Sequence, residues 1–305
     1  MRPSELARVA CRCVPGSGKP DIRPLRSGLV NDTFRVRRDG AFYALRVPSA
    51  RAVDLGQDRA WEARVLELAA AQDLAPALKY SDPDRGILVL DWIDGQPWTP
   101  AEVMLPPNIA RMAQLLRRLH AMPLPAPART MTPAKWIEYY VAAAGERTGR
   151  MVRICAAASS PALRTAAAAR VGDLAALPAT AAVLCHSDLH ILNVMDRAGS
   201  LVLLDWEYAH AADPLWDLAG WSANNDFDAE QQWRLLEAYG QRPPTREDVS
   251  RLGLLGWLYD YVCLLWGELY LNLRSRARGR ETHGGAENGI GVRARLLAAR
   301  LEASL

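Results

Sequence analysis

His186-Ser187-Asp188-Leu189-His190-Ile191-Leu192-Asn193, followed by Leu203-Leu204-Asp205-Trp206-Glu207, is the stretch that decides the fold. It runs H-x-D-L-x-x-x-N, then a short hairpin, then a second acidic residue. Two apolar runs, Ile191 to Met195 and Leu201 to Leu204, flank Asp196-Arg197-Ala198-Gly199-Ser200, a set of turn-forming residues. A hairpin here brings Asn193 and Asp205 to neighbouring strand ends.

Phosphoryl transfer needs these groups. One carboxylate orients an attacking hydroxyl and takes its proton. An amide oxygen and a second carboxylate hold Mg²⁺ against nucleotide phosphates. Asp188 is assigned the first role, Asn193 and Asp205 the second. Glu207 stands two residues past Asp205, so on an extended chain both face one side, which suits a further metal contact. A lone H-x-D would be a surface turn. Asn193, the hairpin and Asp205-x-Glu207 together favour a reaction centre.

Leu184-Cys185-His186-Ser187-Asp188-Leu189-His190 and Leu204-Asp205-Trp206-Glu207-Tyr208-Ala209 resemble the aminoglycoside phosphotransferase and choline kinase superfamily. Asp213-Pro214 and Trp216-Asp217-Leu218-Ala219 follow where that superfamily carries D-P-x-x-D-L-A. The chain is most similar to the choline/ethanolamine and thiamine kinase branch. The resemblance implies an α+β, protein-kinase-like, two-lobed fold: a small antiparallel β-rich N-lobe (1–91), a hinge (92–97) and a larger, mainly helical C-lobe (98–305). It also implies ATP and Mg²⁺ as cofactors and a small-molecule hydroxyl acceptor.

Composition sets limits on this. The chain has 305 residues, half of them hydrophobic, and a net charge of +3. That charge is mild and dispersed, which argues against a nucleic-acid partner. No window approaches the roughly 20 apolar residues a membrane span needs, and the N-terminus lacks a signal pattern. Five cysteines without a C-x-x-C pair suggest reduced thiols and a cytoplasmic protein.

Ile22 to Leu25, Phe34 to Arg37 and Phe42 to Val47 are expected as strands of a small antiparallel sheet, with Asp39-Gly40 as a tight turn. The turn from Ser27 to Thr33 takes the place of the loop that covers ATP phosphates. It is an ordinary hairpin turn by composition, but Gly28 and Asn31 match residues that recur there in the resembled family. Arg46 ends a strand where protein kinases place the phosphate-pairing Lys and where choline and thiamine kinases often carry Arg. Glu62, on an amphipathic run from Leu55 to Ala71, is the acid expected to orient Arg46. Ile87 to Leu90 is a buried strand. The break after it, at Asp91, Trp92 and Ile93, is where main-chain groups would read the adenine edge.

Helices are expected from Ile109 to Met122, then over Pro133 to Ala144, Met151 to Ala158 and Pro161 to Leu177, and again over Ala229 to Tyr239 and Val249 to Arg274. Arg278 to Asn288 reads as a loop and Val292 to Leu305 as a closing helix. His120 reads as a packing residue, Asp217 as a brace for the loop backbone, and His186 and His190 as hydrogen-bonding supports. Trp257, Tyr261 and Trp266 form an aromatic stripe at helical spacing, which normally means core. The resemblance offers another reading, an aromatic box for a cationic acceptor, to which Glu268, Trp206 and Trp221 could contribute. Besides a choline-, ethanolamine- or thiamine-type kinase, the sequence leaves open an aminoglycoside or macrolide phosphotransferase and a catalytically silent nucleotide-binding scaffold.

Overall fold

A computed structural model describes residues 2–27, 30–49, 55–146, 160–197, 199–277 and 285–305. The chain forms two compact units, 1–98 with 192–209, and 99–191 with 210–305. The reaction-motif segment therefore splits, with Asn193, Asp205 and Glu207 in the first unit and Asp188 in the second.

In the first unit, helix α1 (Pro3–Cys13) precedes β1 (Asp21–Ser27), β2 (Asn31–Arg38) and β3 (Ala41–Pro48). Helix α2 (Arg59–Ala70), β4 (Leu78–Asp82) and β5 (Ile87–Asp91) follow. The five strands make one antiparallel sheet in the order β1-β2-β3-β5-β4. The β2–β3 turn works because Asp39 and Gly40 both adopt positive φ, at 49° and 85°. Val9, Ala10 and Cys13 of α1 share an apolar core with Val36, Leu45, Val47, Ile87 and Val89. Buried Arg38 caps the end of α1 by donating to the Cys11, Val14 and Gly18 carbonyls. Helix α2 starts at Arg59 rather than at Leu55, because the Asp58 carboxylate accepts from the Trp61 amide and caps it.

The short strand β6 (Gln96–Pro97) joins the reaction-motif hairpin in a three-stranded antiparallel sheet. Ile191–Asn193 is a single 3₁₀ turn instead of the expected strand. After β7 (Val183–Cys185), the hairpin itself is β8 (Val194–Arg197) and β9 (Ser200–Leu203). Gly199 sits at its turn with φ 122°, a conformation glycine supplies without strain.

The second unit holds α3 (Pro100–Val103), α4 (Pro106–His120), α5 (Pro133–Glu146) and α6 (Pro161–Ala176). Strand β7 (Val183–Cys185) pairs antiparallel with β10 (His210–Ala212). Then come α7 (Leu215–Asn224), α8 (Ala229–Gly240), the 32-residue α9 (Arg246–Ala277) and α10 (Gly285–Glu302). The described part of the expected 278–288 loop is already helical, from Gly285. The expected helix at 151–158 lies outside the described residues. Among those described, no helix is long and apolar enough to cross a membrane, and Cys11, Cys13, Cys185 and Cys263 are free thiols.

Candidate active site

In the first unit, β3 carries Arg46 and α2 carries Glu62, both buried. Arg46 Nη2 donates to Glu62 Oε2 at 2.6 Å, and Nη1 to Asp205 Oδ1 at 2.8 Å. Burial works against the charged guanidinium, but Glu62 and Asp205 outweigh it and hold Arg46 protonated above the ordinary range. Glu62 shows the converse: burial opposes its charge, and Arg46 with Arg59 still keeps it below the usual carboxylate range. Asp205 adopts φ 62°, a left-handed conformation rare outside glycine. It follows Leu204, whose amide donates to Asn193 O at 2.8 Å. The hairpin thus ties the amide residue to the strand end that bears the acid.

A carboxylate and an amide oxygen are hard donors suited to Mg²⁺. The Asp205 side chain is 38% exposed, so it can present an oxygen to an ion. Glu207 is placed differently. It is 5% exposed, and its Oε2 accepts from both Asn31 Nδ2 and Arg59 Nη1, each at 2.8 Å. Asn31 Oδ1 in turn accepts from Arg59 Nη2 at 3.1 Å. Burial and the nearby Asp205 push the Glu207 carboxyl up to about 7, against the pull of Arg46 and Arg59. Both ends of the Asn31 side chain are thereby engaged within the protein. Gly28 lies outside the described residues.

The sequence did not single out Arg59. The signal was present in its place three residues before Glu62, which puts both on one helical face.

In the 91–93 stretch, the Asp91 amide donates to Ala77 O at 2.9 Å and the Trp92 amide to Phe42 O at 3.2 Å. Two of the three donors expected to read an adenine edge are therefore spent in the sheet, which leaves the Ile93 amide for that role. The Trp92 ring lies under the Arg35 guanidinium, at 4.7 Å.

In the second unit, the loop after β7 presents Asp188. Ser187 takes φ 70°, so the chain turns sharply just before it. Asp217, in the first turn of α7, accepts the His186 amide on Oδ2 at 2.8 Å and the Ser187 amide on Oδ1 at 2.7 Å. His120, at the end of α4, places Nε2 3.1 Å from the same Oδ2, and its Nδ1 lies 2.8 Å from the Tyr239 hydroxyl. Burial disfavours the Asp217 charge, but the His120 hydrogen bond and the other donors hold its carboxyl low. An ionised carboxylate only accepts, so His120 carries its proton on Nε2. Burial raises the Tyr239 hydroxyl well above its ordinary value, so it stays a phenol beside Nδ1. Cys185 Sγ completes this buried group, whose ligating atoms lie within 4.8 Å of one another. It too is engaged, donating to Asp213 O at 3.5 Å.

The Asp188 carboxylate is 32% exposed, with His190 Nε2 3.8 Å away. The groups that feel its charge are Tyr140 on α5 and Tyr259 and Cys263 on α9, each pushed up first by burial. Cys263 reaches about 12, Arg293 opposing while Asp260 and Asp188 add to the rise. Asn224 Nδ2 donates to Leu189 O at 2.8 Å and to the Tyr259 hydroxyl at 3.0 Å, linking the loop to α9. The Tyr259 ring packs so closely on Gly220 that a Cβ there would lie 2.7 Å away.

The aromatic residues read from sequence as candidates for an acceptor box are divided between the two units. Trp206 is wholly buried in the first unit, and its Nε1 donates to Leu203 O. Trp221, Tyr261 and Glu268 are buried in the second. Trp257 stacks on Tyr261 at 5.6 Å, takes the Arg170 guanidinium over its ring at 4.2 Å and donates to Ser304 Oγ. Trp266 stacks on Tyr270 at 5.7 Å. One ring of this stripe, Trp257, thus already carries a cation from the protein itself.

Residues 21–252 match the family model described as "Phosphotransferase enzyme family". No curated protein matched the chain. Among solved structures, it is similar to a choline/ethanolamine kinase family protein from Mesorhizobium loti, with 25% identity, a TM-score of 0.76, and 99% of this chain and 94% of that one covered. It also resembles choline kinase LicA from Streptococcus pneumoniae, with 21% identity, a TM-score of 0.73 and coverage of 97% and 98%. LicA has also been solved in complex with AMP. Macrolide 2'-phosphotransferase MphH from Brachybacterium faecium matches at 19% identity and a TM-score of 0.61, with 98% and 97% covered. The last two likenesses speak for the fold alone.

Proposed function

Because the chain belongs to the phosphotransferase enzyme family, we propose that it transfers the γ-phosphoryl group of ATP to a hydroxyl of a small choline-, ethanolamine- or thiamine-like acceptor. The observation that carries this reading is the way Asp217 grips the two amides before Asp188, fixing a partly exposed carboxylate on a braced loop. Asp188 orients the acceptor hydroxyl and takes its proton as the oxygen attacks phosphorus. Arg46, held by Glu62, clamps phosphate oxygens, and the Ile93 amide reads the adenine edge. Asn193 and Asp205 would hold Mg²⁺, which when bound neutralises phosphate charge.

The acceptor class is supported by the likeness to the Mesorhizobium loti choline/ethanolamine kinase family protein. Tyr140 stacks on Trp136 at 5.5 Å and Tyr259 lies against Trp216 at 5.2 Å, and all four rings are buried. We place the enzyme in the cytoplasm, where ATP is available and its free thiols stay reduced.

The test is ATP consumption over a panel of choline, ethanolamine, thiamine, an aminoglycoside and a macrolide. Turnover with one of the first three is expected. Turnover confined to the antibiotics would reassign the acceptor. A flat response with ATP still bound would make the protein a nucleotide-binding scaffold.

A further inference from the structure

Three segments that are far apart in sequence meet at one guanidinium in the first unit. Asn31 opens β2, within the Ser27 to Thr33 stretch expected over the phosphates. Arg59 is the first residue of α2. Glu207 follows Asp205 by two residues. Arg59 Nη1 donates to Glu207 Oε2 at 2.8 Å and to Glu62 Oε2 at 3.1 Å, and its Nη2 donates to Asn31 Oδ1 at 3.1 Å. Asn31 Nδ2 closes the ring on Glu207 at 2.8 Å.

The segment after Asp205 is stapled at further points to α2 and to the residues leading into it. Trp61 Nε1 donates to Ala209 O at 2.7 Å, and Gln57 Nε2 to the Tyr208 hydroxyl at 2.8 Å. Asn31 and Glu207 are buried, and the Arg59 side chain is 18% exposed. A planar fork with fixed donors spans these three acceptors in one geometry, whereas the three donors of an ammonium radiate from a single atom on a flexible stem.

Resting on the kinase reading above, we infer that Asn31, Arg59 and Glu207 form a positioning clasp for the nucleotide, and that Glu207 is spent as an anchor rather than offered to the metal. Arg59 sets the direction of the chain on both sides of the phosphates. Through Asn31 it fixes where β2 leaves the loop. Through Glu207 it fixes the strand end that aims Asp205. Through Glu62 it shares the acid that orients Arg46. Glu207 is buried with Asn31 and Arg59 both on one oxygen, whereas Asp205, though Arg46 donates to its Oδ1, keeps a side chain 38% exposed that can reach an ion.

The experiment compares wild type with Arg59→Lys, Arg59→Met, Glu207→Gln, Asn31→Ala and the Asn31→Ala/Glu207→Gln pair. Three readouts are taken: fluorescent Mg-ATP analogue binding, Mn²⁺ binding without nucleotide, and melting temperature. Arg59→Lys is expected to weaken nucleotide binding by about ten- to hundredfold, the size of a lost charge-assisted hydrogen bond. Arg59→Met should weaken it at least as much. Asn31→Ala and Glu207→Gln are expected to be non-additive, because they break the same ring. Glu207→Gln should leave Mn²⁺ affinity within about twofold of wild type.

A fall of about tenfold or more in Mn²⁺ affinity for Glu207→Gln would make it a ligand and overturn the assignment. Nucleotide affinity unchanged in both Arg59 variants, even with a lowered melting temperature, would reduce the ring to a fold support and overturn the clasp. Wild type that binds no nucleotide at all would overturn the kinase reading and the clasp with it, so the two failures are distinguishable.

Discussion

Arg46 Nη2 meets Glu62 Oε2 at 2.6 Å, with the acid side chain 1% exposed. Removing the acid leaves a buried cation short of its closest partner, and breaking such a pair costs more than the pair contributes. Glu62→Ala is therefore expected to destabilise the protein by roughly 3 kcal/mol in denaturant unfolding. Nucleotide affinity should fall in the same variant, because the released Arg46 still has Asp205 to turn to. A variant as stable as wild type would mean that Asp205 alone satisfies Arg46.

Asp217 offers a sharper test of the loop. Both its oxygens accept backbone amides, so Asp217→Asn must aim an NH₂ group at one donor. The expected loss is about 1–3 kcal/mol of stability. Turnover should fall while the KM for ATP stays near wild type, because Arg46, Glu62 and Asp205, the groups proposed for the nucleotide, lie in the other unit. An equal rise in the KM for ATP would contradict that separation.

Asp260 on α9 provides a pH prediction. Burial pushes its carboxyl up to about 6, against Arg300, which bonds it at 2.5 Å, and against Arg293; Asp226 adds to the rise. The folded protein then holds this proton more tightly than the unfolded chain does. Stability should fall as pH rises from the ordinary carboxylate value of about 4 to about 6, and no further above that. The expected size is on the order of 1–3 kcal/mol. Asp260→Asn should abolish this component in thermal unfolding measured across that window. A variant with the wild-type slope would refute the assignment.

The two sets of aromatic residues should separate cleanly by mutation. Trp257→Ala removes packing around Arg170 and is expected to lower the melting temperature while leaving acceptor KM unchanged. Tyr259→Phe removes a hydroxyl bonded to Asn224, with far less lost volume, and should change acceptor KM or turnover. The opposite pattern would return the acceptor pocket to the Trp257 stripe.

The sequence was most legible where chemistry and spacing coincided. H-x-D-L-x-x-x-N and the following Asp205 singled out the hairpin segment that the structure contains, and strand alternation with Asp39-Gly40 disclosed the sheet. Glu62 was legible because an acid on the helix after Arg46 has a stated purpose. The Arg59 clasp was harder to see, since its partners Asn31 and Glu207 lie 28 and 148 residues away and only tertiary contact joins them. Glu207 looked like a metal ligand because Asp-x-Glu puts two acids on one side of a strand. Periodicity could not disclose that Asn31 and Arg59 already share its oxygen. The aromatic stripe of α9 has the same limit: helical spacing tells which residues share a face, but not what that face packs against. Tyr259 and Cys263, on another face of the same helix, are the ones that feel Asp188.

The central claim is that Asp188 works as the base of a phosphoryl transfer whose nucleotide groups are built separately. It is tested most directly by measuring turnover and Mg-ATP affinity side by side for Asp188→Asn, with the best acceptor from the panel. The account predicts a loss of turnover of roughly 10²- to 10⁴-fold with nucleotide affinity unchanged. Turnover equal to wild type would contradict it.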